Sequence, residues 1–154
     1  MQKVISTWII FAGIAVVSLF SSCSKSDNNI NQQPTVKKEY RLFNQSSGMP
    51  LDAGTFTISQ LADGNASLTI NLAAGYRVTN VNLPSSIVTS DVTGTELLYA
   101  SLGLVDGNTG VGLTSPVVMA SNNLAVKYID LIAKTGYLIK VLVGSNVQAR
   151  GVIL

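Results

Sequence analysis

From Gly54 to Leu72 the chain reads GTFTISQLADGNASLTINL, and its alternation is the strongest constraint on the fold. Phe56 and Ile58 fall on one side of an extended chain, Thr55, Thr57 and Ser59 on the other. Leu68, Ile70 and Leu72 likewise oppose Ser67, Thr69 and Asn71. Successive side chains of a strand point to opposite faces, so period two with one apolar set predicts half-buried strands. Asp63-Gly64-Asn65 between the runs is a hairpin signal.

The pattern recurs downstream. ELLYASLGLV alternates Leu98, Ala100, Leu102 and Leu104. Asp106-Gly107-Asn108 and Gly110 interrupt it, and VGLTSPVVM follows as a strand with Pro116 at an edge or bulge. YLIKVLV and VQARGVIL are further β-rich runs, divided by Gly144-Ser145-Asn146. In YLIKVLV both faces are mostly apolar: Tyr137, Ile139, Val141 and Val143 on one, Leu138, Lys140 and Leu142 on the other. That is expected of a central strand covered on both sides. AVKYIDLIAK differs, placing Val126, Ile129, Ile132 and Ala133 at helical spacing with Leu131 beside them. Gly136 follows as a C-terminal cap, and one short helix is expected. Residues 39–154 are therefore expected to form an all-β domain. Its form should be a Greek-key-like β-sandwich or open barrel of about seven short strands with one short helix.

Cys23 is the only cysteine in 154 residues, so no intrachain disulfide forms. Met1-Gln2-Lys3 carries one positive charge, and Val4 to Phe20 is apolar apart from Ser6, Thr7 and Ser18. Ser21 and Ser22 precede Cys23. Charge, apolar run and small residues follow the order of a secretory signal, and the run is short for a membrane span. LFSSC resembles a bacterial lipobox in the looser form of Bacteroidetes lipoproteins. The resemblance implies removal of residues 1–22 and acylation of Cys23. Two or more acyl chains anchor a protein stably where one does not. The alternative is a hydrophobic cysteine in an ordinary signal or in a retained anchor. Residues 23–38 read as the lipidated cysteine and a polar tether. Directly after Cys23, Ser24 stands in place of the aspartate that resembles an inner-membrane retention signal, which favours the outer membrane, periplasmic or surface-facing.

The C-terminal third carries a second resemblance. YIDLIAKTGYLIKVLV followed by VQARGVIL resembles the end of the CHRD (chordin-type) domain family, through Tyr128, Leu131, Gly136, Tyr137 and Arg150-Gly151. GTFTISQLADGNASLTINLAAG resembles that family's first hairpin, and ASLGLVDGNTGVGLTSPVV its middle section. The resemblance covers roughly residues 40–154. Family members carry histidines near the positions of Ser86, Val88 and Val141, whereas this chain has no histidine at all. Any function that rests on those histidines is therefore not performed here in that way.

The same absence removes the commonest general base and metal ligand, so no metal or cofactor is expected. The eight acidic residues are scattered. Asp63 and Asp106 precede glycines, where an aspartate bonds its own turn. Asp91 and Glu96 are expected near each other in one loop, without marking a catalytic pair. DGNTG at 106–110 resembles a calcium loop but lacks its later acidic ligands. There is no Gly-x-Ser-x-Gly elbow, and no motif marks a Ser–Lys dyad. A net charge of +2 without a basic cluster gives no nucleic-acid footprint. Tyr76 and Tyr99 are the aromatic candidates for surface contacts, with packing as the competing role. The expected function is a lipid-anchored, non-catalytic envelope module, a scaffold or adhesive domain contacting another envelope protein. A small-ligand or glycan-binding subunit is one alternative, and a hydrolase without a recognisable motif is another.

Overall fold

The computed structural model describes residues 36–46, 48–90 and 93–154. The signal, Cys23, the tether up to residue 35 and Asp91 lie outside the described residues. The described residues form ten strands: β1 Val36–Asn44, β2 Leu51–Gln60, β3 Ala66–Leu72, β4 Asn82–Leu83, β5 Ser85–Ser90, β6 Glu96–Ser101, β7 Val105–Asp106, β8 Val111–Thr114, β9 Tyr137–Val143 and β10 Asn146–Ile153. Among the described residues the one α-helix, α1, spans Tyr128–Ala133. Seven strands have six or more residues, and β4, β7 and β8 are short. Eight strands form a single antiparallel sheet in the order β6-β5-β9-β10-β1-β2-β3-β8, curled into an open barrel, and β4 pairs with β7 apart from it.

The inner face of the curl is the core. It takes Leu42 from β1, Phe56 and Ile58 from β2, Leu68, Ile70 and Leu72 from β3, Ile87 from β5, Ile139 and Val141 from β9 and Ile153 from β10. Burying a large aliphatic side chain contributes roughly 1.5–3 kcal/mol, so this face supplies the driving force. Leu83 and Val105, paired across β4 and β7, close the core from the open side. The gap between β3 and β6 is spanned by residues 117–126: Val117 N–H donates to Ala66 O, and Ala120 N–H to Tyr99 O. Gly151 has no room for a side chain, because a Cβ there would lie 2.5 Å from Arg41 O and 2.6 Å from the Phe56 ring.

Three expectations need correction. Val36–Lys38, read as tether, belong to β1 and pair with Gln60, Ser59 and Ile58. The helix buries Tyr128 and Leu131 and leaves Ile129 62% exposed. Val126, assigned to the helical face, is instead extended, bonded to Ala66 and Val117, so the helical phase starts later. Leu98 and Leu104 are both exposed. Leu98 pairs with Val88 and Ala100 with Ile87, so Tyr99 is an extra residue that resets the alternation. β9 lies between β5 and β10 as expected of a central strand, with Ile139 and Val141 fully buried on its inner face.

Candidate functional site

The outer face of the sheet divides along β1. On β2 and β3 it presents Thr55, Thr57, Thr69 and Asn71, as the alternation requires. On the other side, Leu98, Val88, Leu138 and Val152 stand opposite one another on β6, β5, β9 and β10 and form one apolar row. Val88 and Leu138 are buried within it, while Leu98 and Val152 are open at 55% and 41%.

Between the halves, β1 and β10 share a single register pair, Phe43 with Arg150. The seam they leave opens as a groove of about 290 Å³ on which Tyr40, Phe43, Val152 and Leu154 provide apolar walls. Arg41, Gln45 and Arg150 line it as polar groups. A second hollow of about 380 Å³ adjoins it, sharing Gln45 and Arg150 and adding Ser46, Glu96, Lys140 and Val147. Three cations therefore border the surface. Arg41 is paired with Asp52, and Lys140 with Glu96. Arg150 donates only to the amide oxygen Gln45 Oε1, at 3.2 Å, so its charge is not neutralised by a carboxylate among the described residues. Tyr40 is fixed by stacking on Phe56, with ring centroids 4.9 Å apart. The arrangement suits an amphiphilic or extended partner that lays apolar groups along the seam and an acceptor against Arg150.

Neither tyrosine singled out from the sequence lines the groove. Tyr76 sits in a short 3-10 turn at the end of the barrel where β10 begins, half-buried, its carbonyl accepting from Gln148 Nε2 at 3.0 Å. Tyr99 lies towards the opposite end, tilted against Tyr137 with centroids 4.6 Å apart. Burial, with the Tyr137 hydroxyl adding to it, pushes the Tyr99 phenol up to about 12. Both rings pack against the core.

The acidic turns have structural occupations. Asp106 Oδ1 accepts from Asn108 N–H at 2.7 Å and Thr109 N–H at 3.0 Å, and these bonds, Thr109 first, hold its carboxyl below the usual carboxylate range. Asp63 caps its own turn through Asn65. Among the described residues, no group of three or more His, Cys, Asp or Glu could hold a metal ion. Val141 and Val88 are buried, and Ser86 is half-buried on the outer face.

Sequence reasoning missed Phe43, Gln45 and Arg150. A signal for Arg150 existed, since it alternates with Ala149 and Gly151, which face inward. Its meeting with Phe43 is a pairing across 107 residues of chain, which no local pattern encodes. The chain matches no family model, no curated protein and no solved structure.

Proposed function

We propose that the chain is a lipid-anchored, non-catalytic binding module of a Gram-negative envelope. In this reading it is held in the outer membrane through Cys23 and engages an envelope protein or glycan along the β1–β10 seam. The observation that carries the binding role is the seam itself: an apolar trough with Arg150 uncompensated at its junction.

We also read the domain as a histidine-less relative of the CHRD-type family. The residues of that resemblance have structural work here, which supports a shared architecture rather than a shared chemistry. Tyr128, Leu131 and Tyr137 are core residues, Gly136 has a φ of +90°, and Gly151 stands where a Cβ does not fit.

Two measurements test the proposal. Full-length protein expressed with its signal should incorporate a palmitate analogue, and Cys23→Ala should abolish incorporation and leave the precursor uncut. Unchanged incorporation in Cys23→Ala refutes the anchor. A photo-crosslinking residue at Val152 should trap a discrete envelope component that is lost on Arg150→Ala, while the same group at Thr69 should not. Equal trapping at both positions refutes the seam.

A further inference from the structure

The lysines are distributed unevenly. Four of the five in the described residues, Lys37, Lys38, Lys127 and Lys134, lie at one end of the barrel. The contacts that make this a single end are explicit. Val36 and Lys37 begin β1 and pair with Gln60 and Ser59, the last residues of β2. The β2–β3 turn follows, and Lys127 Nζ donates to Asp63 O there at 3.1 Å, with Tyr128 N–H donating to Gly64 O. Lys38 Nζ reaches Leu154 O at 2.5 Å. Lys134 closes α1 just before Tyr137, which pairs with Ile153.

Large aliphatic side chains stand exposed among these lysines: Val36 at 49%, Ile129 at 62% and Leu154 at 73%. The carboxylates at this end are Glu39, Asp63 and Asp130, with Glu96 already paired to Lys140. Asp63 is engaged by Asn65. The opposite end, with the β9–β10 turn and the Asp106–Gly110 turn, has no lysine among the described residues, and its arginine, Arg77, has its Nε bonded to Leu72 O. Lysine stems over exposed aliphatics form an interfacial surface: the ammonium heads reach headgroup phosphates while the aliphatic groups enter the acyl boundary.

We infer that this end of the barrel docks onto an anionic lipid surface, with Ile129 and Val36 turned into the interface and the four lysines on the headgroups. The inference rests on the anchor proposed at Cys23. Twelve residues separate Cys23 from Val36, where β1 begins at this same end. Even fully extended, that connection spans at most about 45 Å. The anchor therefore keeps this end at high local concentration near the bilayer, where weak surface contacts suffice to orient a domain. Docking in this way points the β9–β10 turn away from the membrane and leaves the outer face of the sheet upright and open to a partner.

The test uses the full acylated chain in vesicles of phosphatidylcholine with and without phosphatidylglycerol. Cys23 is the only natural cysteine and its thiol is taken by lipid, so one introduced cysteine can carry an environment-sensitive dye. Dye on Ile129→Cys should shift to the blue and be quenched by nitroxide lipids when phosphatidylglycerol is present, and high salt should reverse this. Dye on Ser145→Cys, in the opposite turn, should do neither. Lys37→Glu with Lys134→Glu, both exposed, should abolish quenching at position 129 while the protein still sediments with the vesicles. Sedimentation with equal quenching at 129 and 145 overturns the docking alone. Quenching at 129 that survives the double substitution overturns the role of the lysines. Failure to sediment, with no lipid on Cys23 by mass spectrometry, overturns the anchor and the docking with it.

Discussion

On β2 and β3 the outer face of the sheet presents Thr55, Thr57, Thr69 and Asn71, while on β5, β9 and β10 it presents Val88, Leu138, Lys140 and Val152. The backbone is the same continuous antiparallel sheet, and the inner face is apolar behind both halves. The polar half follows the simple rule of one face in the core and one in water. The apolar half departs from that rule, and the departure coincides with the seam where β10 meets β1 through one register pair. Apolar side chains stand exposed at both sheet edges, Leu98 on β6 and Val111 and Leu113 on β8 beside the threonines, so what sets the β5–β9–β10 side apart is the groove next to it, where a partner would rest.

The largest contrast should come from placing the same charge on each half. Val141 is fully buried on the inner face of β9, and Thr69 lies half-buried on the outer face of β3. Val141→Asp strands a carboxylate in the core and should cost several kcal/mol, comparable with the roughly 5–15 kcal/mol that stabilises a whole domain. Thr69→Asp should stay within about 0.5 kcal/mol. Chemical denaturation midpoints measure both. Equal midpoints would mean that the inner face of β9 is wet and that the core is wrongly placed.

Backbone approach gives the next contrast. Gly151→Ala brings a methyl group against Arg41 O and the Phe56 ring beside the seam, and should destabilise by about 1–3 kcal/mol. Gly75, following β3, has open space and no positive φ, so Gly75→Ala should be neutral or stabilising by up to about 1 kcal/mol. A neutral Gly151→Ala would show that β1 and β10 can separate further at little cost.

How much of this was legible in the sequence follows the same division. The polar half could be read directly, because Phe56, Ile58, Leu68 and Ile70 alternate without interruption and all four are buried. β9 was readable as central, since its apolar residues fall on both faces. Reading failed where an extra residue enters a strand. The bulge at Tyr99 put Leu98 on the outer face, and the two residues Ala53 and Gln148 interrupt the registers that build the seam. A bulge changes which face every later residue takes, and local alternation carries no mark of it. The groove was invisible for a further reason: its walls come from Tyr40 and Phe43 at one end of the domain's sequence and from Arg150 and Val152 at the other.

Tyr99 offers a pH-dependent contrast with the rest of the surface. Its folded-state value, about 12, lies above the ordinary 10, so folding favours the neutral phenol. A raised value contributes stability that is fully present below pH 10 and is lost as pH rises through the window from 10 to about 12. Denaturation midpoints of the wild type should therefore fall across that window, and Tyr99→Phe should fall less. Parallel curves for the two proteins would show that Tyr99 is hydrated like a surface phenol.

The smallest expected effect separates the two halves by their ion pairs. Arg41–Asp52 stands on the β1–β2 side with side chains 67% and 52% exposed. Lys140–Glu96 lies on the apolar side at 19% and 35%. Exposed pairs contribute about 0.2–1 kcal/mol, and screening by water and salt brings many of them to nothing. The Lys140 stem also shares its face with Leu138 and Val88, so part of what it contributes is cover for that row. Double-mutant cycles to glutamine and asparagine, run at low and high salt, should give a coupling near zero for Arg41–Asp52. For Lys140–Glu96 the coupling should lie at the upper end of that range and persist in salt. Lys140→Gln alone should then cost more than Arg41→Gln, because the first uncovers aliphatic surface and the second exposes only groups already in water. If the two cycles agree, the apolar half is as open to solvent as the threonine half, and its claim to be the partner-facing side is lost.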